Sequence, residues 1–68
     1  MYSKVEYEEG YTLVFQGKFE EGLEKLLPLE EKYGDWWNLL FMIGLAYKNM
    51  GEMDKAKEYY EKILRMKP

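Results

Sequence analysis

Adjacent glutamates are the residues of this chain that are best suited to acid–base catalysis or cation binding. They occur three times: Glu8 and Glu9, Glu20 and Glu21, Glu30 and Glu31. Two carboxylates cooperate only when both reach the same atom, whereas neighbours on a helix diverge by about 100°. Histidine and cysteine, the usual general base and soft nucleophile, do not occur in the sequence. The sequence therefore predicts a protein that is not an enzyme and has no metal site or cofactor.

Composition narrows the class of partner. The 68 residues include 10 basic and 13 acidic side chains, for a formal net charge of −3. Nucleic acids and anionic membranes select basic surfaces, so neither is an expected partner. The longest nearly uncharged stretch, residues 36–47, is shorter than the roughly 20 residues of a membrane-spanning helix. With no cysteine and no apolar core of a signal peptide in the first ten residues, we expect a cytoplasmic protein.

The sequence repeats itself once. Gly10 and Gly17 recur as Gly44 and Gly51, both at an offset of 34 residues. Self-similarity at this period is typical of stacked helical hairpins, in which no single unit buries its apolar face alone. The predicted fold is all-α: two stacked antiparallel helical hairpins, with four helices in one domain of residues 1–68. The first repeat covers about residues 3–34, and the second covers about residues 35–68.

Capping and turn residues predict where the helices begin and end. Ser3, followed by a glutamate three positions later, forms a capping box at the start of the first helix. Gly17 and Gly51 supply the permissive backbone that ends the first and third helices. Gly34 is expected to end the second helix, and Asp35 is expected to cap the third.

Two glycines lie inside predicted helices and need a packing reason. Glycine in a helix interior costs about 1 kcal/mol relative to alanine, which applies to Gly10 and Gly44. Gly22 and Ala56 occupy equivalent positions on the partner helices. We expect small residues to face small residues so that the backbones of each hairpin approach closely.

The second half of the chain resembles the tetratricopeptide repeat family. It matches the family's pattern of large, apolar and small positions at Leu40, Ile43, Gly44, Tyr47, Gly51, Ala56, Tyr60, Ile63 and Pro68. The first half diverges more, with Glu6 and Glu9 where large apolar residues are usual. The resemblance implies a fragment of a right-handed α-solenoid whose work is to bind proteins or peptides.

The resemblance also implies a binding groove lined by the first helix of each repeat. Its positions here are Lys4, Tyr7, Tyr11, Val14, Asn38, Phe41, Leu45 and Lys48. Chaperone-binding members clamp a carboxylate with lysine and asparagine at positions that Tyr7, Tyr11, Met42 and Leu45 fill in this chain. A hydrophobic peptide or helix is therefore the expected ligand. The alternative is that the groove aromatics complete a small core.

A second predicted surface lies on the last helix. The sequence stops at Pro68 with no later helix to cover Tyr60, Ile63 and Leu64. Two repeats are fewer than the roughly three usually needed for stability, so further repeats, a partner or another copy should cover these side chains. Residues 1–34 carry a net charge of −4 and residues 35–68 carry +1, which favours head-to-tail contact. The alternative to a protein-binding module is thus a minimal designed or excised repeat unit that forms a homo-oligomer.

Overall fold

Four α-helices joined by short turns make up the chain in a computed structural model that describes residues 4–66, with only the backbone of Lys4. The helices are α1 (Lys4–Phe15), α2 (Phe19–Lys32), α3 (Trp37–Asn49) and α4 (Met53–Arg65). No strand occurs within these residues. The predicted helix cap at Ser3 and the family position at Pro68 lie outside the described residues.

The helices pack as two stacked hairpins. Contacts are most extensive between α1 and α2 and between α3 and α4, followed by those between α2 and α3. Because short turns connect α1 to α2 and α3 to α4, each pair is antiparallel. The predicted all-α fold of two stacked helical hairpins is confirmed.

All three helices end two residues before the predicted glycine: α1 before Gly17, α2 before Gly34 and α3 before Gly51. Gly17 and Gly51 adopt positive φ values of 84° and 83°, the conformation in which glycine carries no steric penalty. At the end of α2, the N–H of Tyr33 donates to the carbonyl of Leu29 at 2.8 Å, and Gly34 follows without a positive φ. The residue that precedes α3 is Trp36, with no side-chain capping bond, so the predicted cap at Asp35 was wrong.

One hydrophobic core joins both hairpins. The first hairpin contributes Val14, Leu23, Leu26 and Leu29, and the second contributes Leu39, Met42, Ile43 and Ala46. The largest fully buried side chains, Leu26, Leu39, Leu40 and Ile43, also come from both hairpins. Each hairpin therefore depends on the other to exclude water from its apolar face.

Close backbone approach occurs in the first hairpin as predicted. A Cβ atom placed on Gly22 would lie 3.1 Å from the carbonyl oxygen of Gly10, so these two residues face one another. The mid-helix glycine of each hairpin also contacts a side chain of the partner helix, which is Leu26 for Gly10 and the equivalent residue Tyr60 for Gly44. A Cβ atom on Gly44 would lie 2.8 Å from Cε1 of Tyr60, so the space beside this glycine receives a tyrosine ring.

A partly buried polar contact connects α2 to α4 and so joins the two hairpins. The hydroxyl of Tyr59 donates to Oε1 of Glu30 at 2.7 Å, and Nζ of Lys62 donates to Oε2 at 3.0 Å. The Lys62 ammonium also lies 4.6 Å from the centre of the Tyr59 ring. Burial and the bond to Glu30 raise the pKa of Tyr59 far above its ordinary value. This tyrosine therefore remains a hydrogen-bond donor at neutral and moderately alkaline pH.

We expect Tyr59→Phe to lower the free energy of unfolding at neutral pH by about 1 to 2 kcal/mol, because the variant loses a hydrogen bond to a charged group. The raised pKa in the folded state adds stability that is fully present below pH 10.0, the ordinary pKa of tyrosine, and is lost as the pH rises toward the folded-state value. The variant should consequently lose less stability than the native chain as the pH rises above this point.

Urea unfolding at several pH values from neutral to strongly alkaline measures both effects. Tyr11→Phe is the matched control, because it removes a hydroxyl from a more exposed ring. Identical pH profiles for Tyr59→Phe and the native chain would contradict the role given to the contact with Glu30.

Candidate functional site

Three aromatic side chains form a ladder along α1. Tyr7, Tyr11 and Phe15 are spaced four residues apart, which places them on one face of the helix. The ring centres of Tyr7 and Tyr11 lie 5.9 Å apart, and those of Tyr11 and Phe15 lie 4.6 Å apart. Tyr11 is 42% exposed and Phe15 is 63% exposed. This aromatic ladder presents two large apolar rings to solvent next to a third that is half-buried.

Tyr7 connects the ladder to the second hairpin. Its ring centre lies 4.6 Å from that of Trp36, which directly precedes α3, and both residues pack against the hydrophobic core. Burial raises the pKa of Tyr7, and the neighbouring Tyr11 adds to the shift. The Tyr7 phenol is thus neutral at physiological pH. The contact of Tyr7 with Trp36 holds this end of the ladder against the core.

The predicted residues of α3 differ in exposure. These residues are three or four positions apart and so share one face of the helix: Asn38, Phe41, Leu45 and Lys48. Phe41 is 44% exposed, and its ring centre lies 6.0 Å from that of Tyr60 on α4. Leu45 is half-buried and packs against the core, whereas Lys48 is exposed.

The structure corrects the predicted surface at Val14. This side chain is only 4% exposed and belongs to the core. Its Cγ2 atom lies 2.7 Å from where a Cβ of Gly22 would be, so Val14 fills the space that the glycine leaves. Phe15, which was not among the predicted site residues, continues the aromatic ladder instead. The spacing of four residues from Tyr11 was the available signal for Phe15, although Val14, three residues from Tyr11, fits helical spacing equally.

Part of the predicted self-association surface lies in a shallow depression beside α4. Its volume is about 410 Å³, and we call it the α4 end face: Lys48, Met53, Ala56, Lys57, Tyr60, Glu61 and Leu64. Leu64 is 67% exposed, whereas Tyr60 and Ile63 are half-buried. The face combines an exposed apolar patch with two lysines.

The described residues contain neither a cluster suited to a metal ion nor a helix that could span a membrane. Between residues 4 and 66, acidic side chains do not gather into a group of three or more that could hold a metal ion. Over the same residues, every helix is too short or too polar to cross a membrane.

Comparison with known proteins gives a family for the second hairpin. Residues 38–68 match a family model described as tetratricopeptide repeat. Over 67 residues the chain is 31% identical to the photosystem I assembly protein Ycf3 of Rippkaea orientalis (strain PCC 8801 / RF-1). That alignment covers 94% of this chain but only 39% of the length of the relative. No solved structure matches the chain. The second hairpin is therefore a tetratricopeptide repeat.

Proposed function

We propose that this chain is a protein-binding module that holds a hydrophobic segment of a partner against the aromatic ladder of α1 and the exposed side chains of α3. The observation that carries the proposal is the exposure of Tyr11, Phe15 and Phe41. Neighbouring exposed aromatic rings are uncommon on a surface without a partner, and aromatic residues often dominate binding energies. We further propose that the first hairpin is a divergent repeat of the same family, because its helices follow the same 34-residue offset.

The chemistry of the surface favours an apolar ligand. Full burial of a large apolar side chain contributes about 1.5 to 3 kcal/mol, so two or three ring contacts contribute about 3 to 9 kcal/mol toward the cost of association and the net affinity. Lys48 is the exposed cation among the predicted site residues of α3. An amphipathic helix or an extended strand with aromatic or aliphatic anchors fits this surface better than an acidic tail.

The relative supports a role in bringing proteins together. Its name describes an assembly protein, and assembly requires recognition of other polypeptides. We therefore propose that this chain recognises a protein segment in an assembly step. Since the chain spans 39% of the length of that relative, the particular partner of the relative is not assigned to this chain.

A peptide library displayed on phage, panned against the immobilised chain, tests the proposal. We expect enrichment of peptides with Leu, Phe or Trp at helical or alternating spacing. Fluorescence polarisation with one selected peptide then compares variants. Tyr11→Ser and Phe41→Ser should each weaken binding at least about tenfold. Their free energies of unfolding should change by only about 0.5 kcal/mol, as is usual for surface positions.

Val5→Ser is the matched control on the same helix as Tyr11. Val5 is an exposed apolar residue, but it lines a separate depression with Glu8 and Glu9. Its replacement should leave peptide affinity unchanged. Unfolding caused by Phe41→Ser would assign Phe41 to the core instead. Enrichment of acidic tails without apolar anchors would contradict the proposed ligand class.

A further inference from the structure

Each end of the stack of hairpins carries its own depression. Opposite the α4 end face lies a depression of about 490 Å³ that we call the α1 end face: Val5, Glu8, Glu9, Thr12, Leu13 and Lys25. The α1 end face contains two glutamates and one lysine. The α4 end face contains two lysines, Lys48 and Lys57, and one glutamate, Glu61. The two faces therefore carry opposite net charges of equal size.

The internal repeat relates these end faces to the contact between the two hairpins. In that contact, the first hairpin supplies Val14, Leu23, Leu26 and Leu29 to the shared core. The residues 34 positions later are Lys48, Lys57, Tyr60 and Ile63, three of which line the α4 end face. The second hairpin supplies Leu39, Met42, Ile43 and Ala46. The residues 34 positions earlier are Val5, Glu8, Glu9 and Thr12, all of which line the α1 end face.

Each end face thus corresponds, through the 34-residue offset, to one side of the contact between the two hairpins. At some positions of the end faces, a charged residue occurs where the internal contact has an apolar one. Lysines 48 and 57 replace the apolar Val14 and Leu23 on one side. Glutamates 8 and 9 replace Met42 and Ile43 on the other. A second chain stacked in the geometry of the internal contact would bring two ammonium groups toward two carboxylates.

We propose that the α4 end face of one chain binds the α1 end face of a second copy, head to tail. Met53 and Leu64 on one face and Val5 on the other are exposed and supply apolar area. The opposite charges set the orientation, because like faces would repel one another. Since the two faces differ, the contact is heterologous, and each added copy leaves a free face at both ends. The expected products are short linear arrays whose length increases with protein concentration.

A competing explanation is that the charged side chains only keep the ends soluble. Solubility requires charge, but it does not require opposite signs on the two ends. Exchanging the signs therefore distinguishes the two explanations. The test uses two double variants of the whole chain: Glu8→Lys with Glu9→Lys, and Lys48→Glu with Lys57→Glu.

Sedimentation equilibrium from micromolar to millimolar concentration provides the measurement. The weight-average mass of the native chain should rise to at least about twice that of the monomer. Each double variant alone should associate at least about tenfold more weakly, because like charges then meet. Mixing the two variants in equal amounts should restore association, since each contact between unlike variants pairs opposite charges and the two can alternate along an array.

Two controls separate this proposal from the others. Glu24→Lys with Glu31→Lys makes the same change in net charge as the double variant at residues 8 and 9, but at exposed positions of α2 outside both end faces. It should not alter association. Tyr11→Ser should weaken peptide binding without affecting the mass, so failure of one proposal leaves the other intact. A native chain that remains monomeric at the highest concentration would overturn head-to-tail association. Mixed variants that remain monomeric would overturn it equally.

Discussion

Leu26→Ala is expected to leave a large fraction of the chain unfolded at room temperature. The Leu26 side chain is completely buried, and its Cγ atom lies 2.6 Å from where a Cβ of Gly10 would be. Truncation of a buried leucine typically costs about 2 to 5 kcal/mol, because the structure around the cavity relaxes only partly. A core of this size supplies only about 3 to 5 kcal/mol in total, so the loss is comparable to the whole stability.

Circular dichroism during urea titration measures this effect. Leu64→Ala is the matched control, because it makes the same chemical change at an exposed position and should alter the free energy of unfolding by no more than about 0.5 kcal/mol. Equal unfolding midpoints for the two variants would contradict the assignment of Leu26 to the shared core.

Gly22→Leu is expected to destabilise the chain by about 3 kcal/mol, the upper end of the range for overpacked cores. A Cβ atom at this position would lie 2.7 Å from Cγ2 of Val14 and 3.1 Å from the carbonyl oxygen of Gly10. Val14 is buried and β-branched, so it cannot rotate away without strain. The helices α1 and α2 would have to separate. This prediction opposes intrinsic helix propensity, which favours leucine over glycine by nearly 1 kcal/mol.

Glu21→Leu is the control for this substitution. It introduces the same side chain at the exposed neighbouring position and should have little effect on stability, about 0.5 kcal/mol at most. Adding Val14→Ala to Gly22→Leu should recover part of the lost stability, because it removes the nearest clashing atom. Thermal melts of all three variants measure these differences. A Gly22→Leu chain as stable as the native one would exclude the close contact of α1 with α2.

The order of the elements could be read from local features. Glycine at residues 17 and 51 marks two turns, since the positive φ that these turns need is accessible to glycine at little cost. The 34-residue offset of the glycines predicted the stacking of two hairpins. The residue at the N-terminal cap of α3 could not be read in this way. Trp36 takes the position expected for Asp35, and its ring packs against Tyr7, a residue distant in sequence.

In the candidate site too, local features predicted one part and tertiary packing decided the other. Helical spacing was enough to place Tyr7 and Tyr11 on one face of α1, where their rings make contact. Spacing could not decide between Val14 and Phe15, which are adjacent in sequence. Val14 is buried because α2 approaches α1 closely at Gly22, while Phe15 projects into solvent as part of the aromatic ladder. Helical spacing also could not predict the contact of Tyr59 with Glu30, because the two residues lie on different hairpins.

The sequence by itself therefore determined the helices, their turns and the all-α class, because periodicity and glycine conformation act over a few residues. Only the tertiary structure decided which apolar side chains are covered and which remain exposed. Burial depends on the neighbouring helix, so Leu26 and Val14 lie in the core while Phe15 and Leu64 face solvent. The tertiary structure also placed Glu8 and Glu9 on one end face and Lys48 and Lys57 on the other. Both the ligand surface and the proposed contact between copies arise from that placement.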